Sequence, residues 1–463
     1  MKPLLLLVLL AAAQSSILTT EELAITDLLH EYTLLYQEEL PEDLSPYAVI
    51  VIATPSRIYE EQDVEAVKAF VESGGGLMLL AEENNRDGTT LVLNQLSQEM
   101  GITFSTDRIY DDQEYFEDTS WIVLTKFPQH PVFQGVTSIV YTSGCSLEAE
   151  GILVKCSPHA YAEKYDGLIT VEKGNLPSSM VFKEVGKGRV FACGDKELFD
   201  TFLSLQDNTV FALNIFDWLA GRPENIAQRL TDRDSALTLI SDAETLLQSA
   251  SEHGLGDLFP ESLGEAEILI SEAKSLHNTY QYAESLQKAL QAKQSVEDGE
   301  IRAQRKVSSA ILDAQDCLSE VKEGARQYLP SQLDAALYYF NEIDSQKTYL
   351  KKIEKADECL SLCKEIRTGL EGAARKDVSL AQEKVNAYRG LFGRTSHHSA
   401  RVNLEYAEES YKNGNFGDAI TFAQQSQIYS DRAAEEQKKD YILAAGIVLI
   451  GALLVYIYVR KRK

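Results

Sequence analysis

The hydrophobic pattern changes its period between residues 221 and 231, and this change constrains the fold more strongly than any other feature of the chain. From about Tyr47 to Gly221, short apolar runs alternate with amphipathic stretches. From about Thr231 to Gln437, apolar residues recur only at helical spacing. The first half therefore predicts a mostly parallel sheet with helices on both faces, and the second half predicts an all-α region.

The first half contains several candidate strands and helices. The runs YAVIVIATP (residues 47–55) and GLMLLAE (residues 76–82) are typical of buried strands. Between them, valines at positions 64, 67 and 71 mark one face of an amphipathic helix that is followed by glycines. Further strands are predicted in SIVYTSG (138–144), GILVKCS (151–157) and GRVFACGD (188–195), and a closing helix in NTVFALNIFDWLAG (208–221).

The helical half, residues 231–437, contains a repeat. Ala243, Ala314 and Ala381 lie at matching positions of three similar segments and are 71 and 67 residues apart. A second landmark, FPESLGEA (259–266), matches LPSQLDAA (329–336), with a proline suited to the first turn of a helix. We therefore predict three helical repeats of roughly 70 residues that stack into a rod or a curved array.

The segment 441–459 has the properties of a transmembrane helix. It carries no charge, it is long enough to approach the ~30 Å thickness of the hydrocarbon layer, and tyrosines lie near both of its ends. The basic residues 460–463 follow at once, and the positive-inside rule places them in the cytoplasm. Because residues 418–445 include no glycine or proline, the last helix can continue into the membrane; a flexible joint before the membrane is the alternative.

The first fifteen residues resemble a secretory signal peptide. Lys2 precedes an apolar run from Leu4 to Ala13, and small residues follow, so cleavage is expected near Ala13 to Ser15. An uncleaved anchor is the alternative. The two terminal segments together predict a single-pass protein of the cell membrane, with the N-terminal ectodomain outside and the C-terminus in the cytoplasm.

The net charge and the cysteine content limit which ligands and which disulfides are expected. The net charge of −27 argues against nucleic acid, which requires a basic surface. An extracytoplasmic location permits disulfides, and the candidates are Cys145 with Cys156, and Cys317 with Cys359 or Cys363; spacing alone does not decide the connectivity. The sequence predicts no metal and no cofactor: it has no CxxC pair, and the histidines at 397 and 398 are expected in a polar loop.

The α/β half resembles a known family. The segments YAVIVIATP, FVESGGGLMLLAE, HPVFQGV (130–136) and GKGRVFACGDKELF (186–199), in this order, are similar to the class I glutamine-amidotransferase-like domain over residues 17–222. They are most similar to its degenerate branch, which occurs with ABC transporters and gliding machinery, in intraflagellar transport proteins and in uncharacterised archaeal surface proteins. The resemblance implies a flavodoxin-like α/β fold whose first strand is reduced to a short remnant within residues 17–40.

The resemblance also shows which catalytic groups are missing. Active members carry a nucleophilic cysteine on the turn after the strand that matches GLMLLAE, but here that turn reads Ala81, Glu82 and Glu83. A later strand ends with Asp195 and Glu197, where the family has a histidine and a glutamate. Without the Cys–His pair, we expect no amidotransferase chemistry. Fold logic still predicts a ligand crevice at the carboxyl edge of the sheet, near Glu82, Asn84, Asn85 and Asp195.

Three other segments contain candidate residues. SGCSL (143–147) resembles a nucleophile turn, but a paired or buried Cys145 is the simpler interpretation, and Cys193 is expected in the core. His130 precedes a proline in the family's HP…GV loop, which favours a role in the turn. The acidic and aromatic residues 107–121 are expected to form a solvated loop, with binding of Ca²⁺ or a sugar as the alternative.

These observations lead to three hypotheses of function. The first is a non-catalytic, membrane-anchored extracytoplasmic binding or scaffold protein. The second is an auxiliary subunit of an ABC-type transporter or cell-envelope complex, which requires a protein partner in the envelope. The third is a hydrolase with an unrecognised site at Asp195 and Glu197 or at Cys145.

Overall fold

A computed structural model describes residues 16–389 and 394–462 of the chain. It contains two compact units. The first combines Met1–Thr238 with Glu272–Gln287, and the second combines Leu239–Ser271 with Lys288–Lys463. The predicted signal peptide, residues 1–15, lies outside the described residues. The chain is therefore a mixed α/β region followed by a mostly helical region.

Fifteen strands lie in the described part of the α/β region. Their bounds are β1 Ser16–Thr19, β2 Thr33–Tyr36, β3 Tyr47–Ala53, β4 Gly76–Leu80, β5 Ile102–Phe104, β6 Arg108–Asp111, β7 Tyr115–Phe116, β8 Asp118–Leu124, β9 Ile139–Thr142, β10 Leu147–Ala149, β11 Ile152–Lys155, β12 Ala160–Glu163, β13 Ile169–Val171, β14 Ser178–Val185 and β15 Gly188–Cys193. Three helices accompany them: α1 Glu61–Ser73, α2 Thr89–Ser97 and α3 Asn208–Leu219.

Seven strands form the central sheet, in the order β11-β14-β15-β4-β3-β1-β2. The five strands from β15 to β2 are parallel to one another, whereas β14 and β11 extend the sheet in antiparallel fashion. The sheet is mostly parallel, as the alternating pattern predicts. The reduced first strand is also present, because β1 pairs with both β2 and β3.

Two hydrophobic cores cover the two faces of the sheet. Successive side chains of a strand point to opposite faces, so Val49 and Val51 of β3 lie in one core while Ile50 and Ile52 lie in the other. Helix α3 contributes to the first core, and α1 and α2 contribute to the second. Burial on both faces explains why β3 is a continuous apolar run.

The prediction of a solvated loop at residues 107–121 is wrong. The segment contains β6, β7 and the first part of β8, which belong to small sheets with the orders β13-β12-β6 and β7-β8-β9. Asp107 and Asp111 are buried, and they act as structural acceptors. Asp107 accepts hydrogen bonds from the backbone nitrogen (2.8 Å) and hydroxyl (2.7 Å) of Ser146, and Asp111 accepts two from backbone nitrogens that follow it. The prediction failed because the acidic composition suggested solvent exposure, whereas these carboxylates accept hydrogen bonds inside the domain.

The described part of the chain beyond Arg222 is helical. Its elements are α4 Pro223–Glu252, α5 Leu255–Leu258, α6 Pro260–Asn278, α7 Tyr282–Tyr328, α8 Pro330–Glu342, α9 Tyr349–Ala387, α10 Arg394–Lys412 and α11 Phe416–Arg462. Ala243, Ala314 and Ala381, the landmarks of the repeat, are fully buried. The division into three repeats stays a prediction.

Two histidines differ from their prediction. His397 and His398 lie in helix α10 and not in a polar loop. The ring of His397 stacks on the ring of Tyr388, with 4.2 Å between the ring centroids. This aromatic contact gives His397 a packing role.

Helix α11 continues without interruption from Phe416 to Arg462. Its apolar part has a mean hydropathy of 2.2, and none of that part is buried against the rest of the protein. Before this part, α11 packs on α9 and α10, and hydrogen bonds join Lys384 to Asp431 (2.7 Å) and Ser396 to Glu436 (2.8 Å). One C-terminal helix is therefore long and apolar enough to cross a membrane, and it contains no flexible joint.

All six cysteines are free thiols in this structure, and the pairing of Cys317 with Cys359 or Cys363 stays a prediction. Cys145 and Cys156 are buried in different cores, so the central sheet separates them. Cys317 packs in the same core as Cys359 and Cys363, between helices α7 and α9. Burial as small apolar side chains accounts for the five cysteines other than Cys317, which is half-buried.

Candidate functional site

The strand order creates a crevice between β1 and β3. The chain passes from β1 to β2 on one side and then to β3 on the other, so the loops after β1 and β3 diverge at the carboxyl edge of the sheet. Open α/β sheets bind ligands at such a switch point. Here a cleft of about 720 Å³ lies between Thr20 and Glu21, which follow β1, and the loop that follows β3. We call this the switch-point cleft.

The lining of the switch-point cleft is strongly acidic. Arg57 is its only basic residue, and the guanidinium lies 2.5 Å from the Glu39 carboxylate. Tyr36 and Tyr59 contribute aromatic surface. The carboxylates are those of Glu21, Glu38, Glu39, Glu42 and Asp63. An excess of carboxylates beside aromatic rings favours a cationic ligand.

Glu21 is held in place at the junction of the cleft and the sheet. One carboxylate oxygen accepts a hydrogen bond from the Thr54 hydroxyl at 2.7 Å, and the other lies 2.7 Å from the ammonium of Lys196. Thr54 has a φ of 38°, which is uncommon for a β-branched residue, and its backbone nitrogen donates to Leu80 at 3.0 Å. Strained backbone of this kind clusters at functional sites, which supports the switch-point cleft as the candidate site.

Lys196 connects this position to the predicted crevice. Its ammonium lies 3.5 Å from Glu82 and 3.9 Å from Glu197, in addition to its contact with Glu21. Burial by itself would lower the pKa of Lys196, but the hydrogen bond to Glu21 and the surrounding carboxylates raise it overall. Burial raises the pKa of Glu82, against the effect of the neighbouring ammonium. An ion-pair network therefore occupies the strand ends where the resemblance places a nucleophile and a histidine.

Asn84 and Asn85 shape the turn between β4 and α2. Both have a φ of 52°, in the left-handed region that asparagine tolerates better than most residues. The Asn85 side chain accepts a hydrogen bond from the backbone nitrogen of Leu91 at 3.0 Å, and the backbone nitrogen of Asn84 donates to the Asp107 carbonyl at 2.8 Å. Neither residue lines the switch-point cleft.

Asp195 is almost fully buried and does not line the switch-point cleft. Its carboxylate accepts hydrogen bonds from the backbone nitrogen of Thr142 at 2.5 Å and from the Thr142 hydroxyl at 3.0 Å, and a weaker one from the backbone nitrogen of Leu198 at 3.3 Å. Burial raises the pKa of Asp195 to about 8, although these hydrogen bonds oppose the shift. The contacts indicate a structural role: Asp195 joins β9 to the turn after β15.

Asp195 predicts a dependence of stability on pH. An aspartate in an unfolded chain has a pKa near 4, so between about pH 4 and 8 the folded protein holds more protons than the unfolded chain. The free energy of unfolding therefore decreases as pH rises through this window. Relative to Asp195→Asn, which does not titrate, the unmodified protein is expected to be more stable at pH 5 than at pH 8 by roughly 3 to 4 kcal/mol. Thermal unfolding of both proteins at pH 5 and at pH 8 measures this effect. If the stability difference between the two proteins is the same at both pH values, the prediction is contradicted.

The remaining candidate nucleophiles are poorly suited to catalysis. Burial raises the pKa of Cys145 and of Cys193, with further contributions from Asp107 and Asp195, whereas a reactive thiol needs a lowered pKa. Burial lowers the pKa of His130 to about 4, and its ring packs against Phe182 with 4.6 Å between the centroids. Within residues 16–389 and 394–462, no cluster of three histidine, cysteine or acidic side chains is arranged to hold a metal.

The predicted crevice and the observed cleft share the carboxyl edge of the sheet but not their residues. Glu82 and Asp195 follow the neighbouring strands β4 and β15, as predicted, while the cleft lies at the ends of β1 and β3. Sequence reasoning missed Glu21 and Thr54. Polar residues directly after each apolar run were the available signal, but the strand order was needed to identify the two loops that border the cleft.

The chain combines a mixed α/β region with a mostly helical region and one long apolar C-terminal helix. No protein-family model matches the chain, and no curated protein matches it. Among solved structures, the mmIFT52 N-terminal domain is 16% identical and aligns with a TM-score of 0.36, covering 44% of this chain and 97% of that domain.

ThuA-like proteins, which are class I glutamine-amidotransferase-like, are also among the structural neighbours. One from Parabacteroides merdae is 12% identical with a TM-score of 0.29, and one from Bacteroides uniformis is 15% identical with a TM-score of 0.27. Each comparison covers 44% of this chain, with 89% and 90% of the respective neighbour. The identities and TM-scores of these neighbours are too low to transfer a ligand or an activity.

Proposed function

We propose that the protein is a non-catalytic, membrane-anchored extracytoplasmic binding or scaffold protein with a degenerate amidotransferase-like domain. The observation that carries this proposal is the ion-pair network at the ends of β4 and β15. Glu82 and Lys196 follow these two strands, and Lys196 also pairs with Glu21 after β1; none of the three supplies the thiol that forms the labile acyl thioester of an amidotransferase. The switch-point cleft is the binding site.

The anchoring part of the proposal rests on helix α11. Its apolar side chains from Tyr441 to Ile457 are mostly exposed, which is costly in water and favourable in lipid. Lys438 and Lys439 precede the apolar part, and a basic cluster begins at Arg460. The density of basic charge after the span favours a cytoplasmic location for that end.

An activity assay tests the non-catalytic part of the proposal. The full chain is purified in detergent and offered glutamine and activated esters, beside the variants Glu82→Ala, Cys145→Ala and Asp195→Asn. We expect no turnover above the buffer rate in any of the four proteins. Turnover in the unmodified protein that one of these substitutions abolishes would establish a hydrolase and overturn the proposal.

A second candidate function, an auxiliary subunit of an ABC-type transporter or cell-envelope complex, is favoured by the continuity of α11. A helix without a joint can transmit position or force between the bilayer and the helices that pack on it. Crosslinking in intact cells followed by mass spectrometry distinguishes the two. Repeated links to one integral membrane complex would support the subunit, and links only to itself and to abundant surface proteins would support the free-standing scaffold.

A further inference from the structure

Strand β2 is the outermost strand of the central sheet, and it is open on one side. Within the described residues it pairs only with β1. Its three large side chains are partly exposed: 37% for Leu34, 39% for Leu35 and 48% for Tyr36. A sheet edge with exposed apolar side chains can accept a further strand.

The backbone groups of β2 divide between its two sides. The nitrogen of Gln37, the residue after β2, donates to the Thr19 carbonyl of β1 at 3.0 Å. The direction of these groups alternates along a strand, so Thr33 and Leu35 also face β1, while the N–H and C=O groups of Leu34 and Tyr36 face outward. Two outward donors and two outward acceptors are therefore available to a partner strand.

The usual protection of an edge strand is missing from β2. Soluble proteins protect such edges with charged residues, with proline or with a bulge. The sequence of β2 is TLLY, which has no charge and no proline, and its pairing with β1 has no bulge. An open and uncharged edge of this kind favours pairing with another strand.

The charges around β2 indicate which charge a partner strand should carry. Tyr36 and Glu38 both line the switch-point cleft, so the edge and the acidic cleft are continuous. Acidic residues lie immediately before β2 at Glu31 and after it at Glu38, Glu39 and Glu42. Two copies of this edge would bring their carboxylates together, which disfavours self-pairing, whereas a basic strand would be attracted.

We propose that β2 is a docking edge for an extended basic segment of a partner protein. The segment adds to the sheet beside β2 through the backbone groups of Leu34 and Tyr36, and its lysine or arginine side chains enter the switch-point cleft. This inference rests on the proposed binding function, and it adds the conformation and the charge of the partner.

The test uses the full chain in detergent and a ten-residue synthetic peptide of alternating lysine and valine. A peptide of alternating glutamate and valine is the charge control. Amide hydrogen exchange is followed at single-residue resolution with and without peptide. We expect the basic peptide to slow exchange at Leu34 and Tyr36 at least tenfold and to leave Thr33 and Leu35 unchanged, because those two amides already face β1.

Matched variants separate the backbone from the charge contribution. Leu34→Pro removes one outward donor, whereas Leu34→Ala trims the side chain and keeps that donor. We expect peptide affinity, measured by fluorescence anisotropy, to fall about tenfold in Leu34→Pro and less than threefold in Leu34→Ala. The triple variant Glu38→Gln, Glu39→Gln, Glu42→Gln is expected to lose about tenfold at low salt, with a smaller loss at high salt.

Three results would overturn the proposal. The first is no protection at Leu34 and Tyr36, whether the basic peptide binds elsewhere or not at all. The second is equal binding of the acidic peptide. The third is protection of the same amides by self-association without peptide. Protection confined to the loop after β3 would refute docking on β2 and leave the binding function intact, whereas turnover in the activity assay would refute the non-catalytic function.

Discussion

Gly194→Ala is expected to destabilise the α/β domain by about 4 kcal/mol, a large part of the stability of a typical domain. A β-carbon at this position would lie 2.0 Å from the carbonyl oxygen of Cys145 and 2.3 Å from the hydroxyl of Tyr141. The backbone cannot move aside easily, because the nitrogen of Gly194 donates to Ser179 at 3.1 Å and its carbonyl accepts from Cys145 at 3.0 Å. Thermal unfolding of the full chain measures the effect.

The control for this prediction is Gly174→Ala. A β-carbon there has no neighbour within 4 Å, although φ is +88°, so only the backbone cost of about 1 kcal/mol is expected. The Gly194 variant should therefore unfold at a temperature about 10 °C below that of the Gly174 variant. Equal melting temperatures would contradict this prediction, because they would show that a methyl group at position 194 fits beside the Cys145 carbonyl and the Tyr141 hydroxyl.

Arg229→Met is expected to cost about 3 kcal/mol. The guanidinium of Arg229 lies 2.6 Å from the carboxylate of Asp217 and donates to Asn214 at 2.9 Å. Asp217 is buried, and it also accepts a hydrogen bond from the Tyr32 hydroxyl at 3.3 Å. Burial already raises the pKa of Asp217 against the effect of Arg229, so removal of the cation leaves a carboxylate without its counter-charge.

A double variant separates charge from packing. Asp217→Asn combined with Arg229→Met removes both charges, and it should recover a substantial part of the lost stability. The neighbouring Gln228→Met is the surface control, because Gln228 is exposed and its amide donates to Asp232 at 2.8 Å. Denaturant unfolding of these variants, together with Asp217→Asn alone, gives the coupling energy between the two side chains. A loss in Arg229→Met no larger than in Gln228→Met would show that the buried pair contributes nothing.

The sequence predicted the long, doubly buried elements well. Strands β3 and β4 are continuous apolar runs, and α1 ends at a glycine. The hydrophobic pattern and the residues that terminate an element therefore indicate the same boundaries. Strands β1 and β2 have only four residues each, which gives too few positions for a period to be recognised. The segment around Asp107 and Asp111 was misinterpreted because buried carboxylates with internal partners cannot be distinguished from solvated ones in a sequence.

For the candidate site, the sequence predicted which residue types follow the strands but not which loops border the cleft. Polar residues directly after apolar runs indicated which side chains lie at the carboxyl edge of the sheet, and the absence of a cysteine and a histidine there was visible directly. The location of the cleft depends on β1 lying between β2 and β3, which is a property of strand order. Whether Asp195 faces the cleft or the interior depends on its hydrogen bonds to Thr142, which join residues far apart in the chain.

The continuity of α11 makes the helix a lever. Residues 416–440 extend about 37 Å beyond the apolar segment, at about 1.5 Å per residue. Membrane helices commonly tilt by about 20°, and the tilt follows the thickness of the bilayer. A tilt of that size would displace the Phe416 end sideways by about 13 Å. Under the proposed membrane anchoring, a change in bilayer thickness that alters this tilt would move the helices packed against α11 sideways.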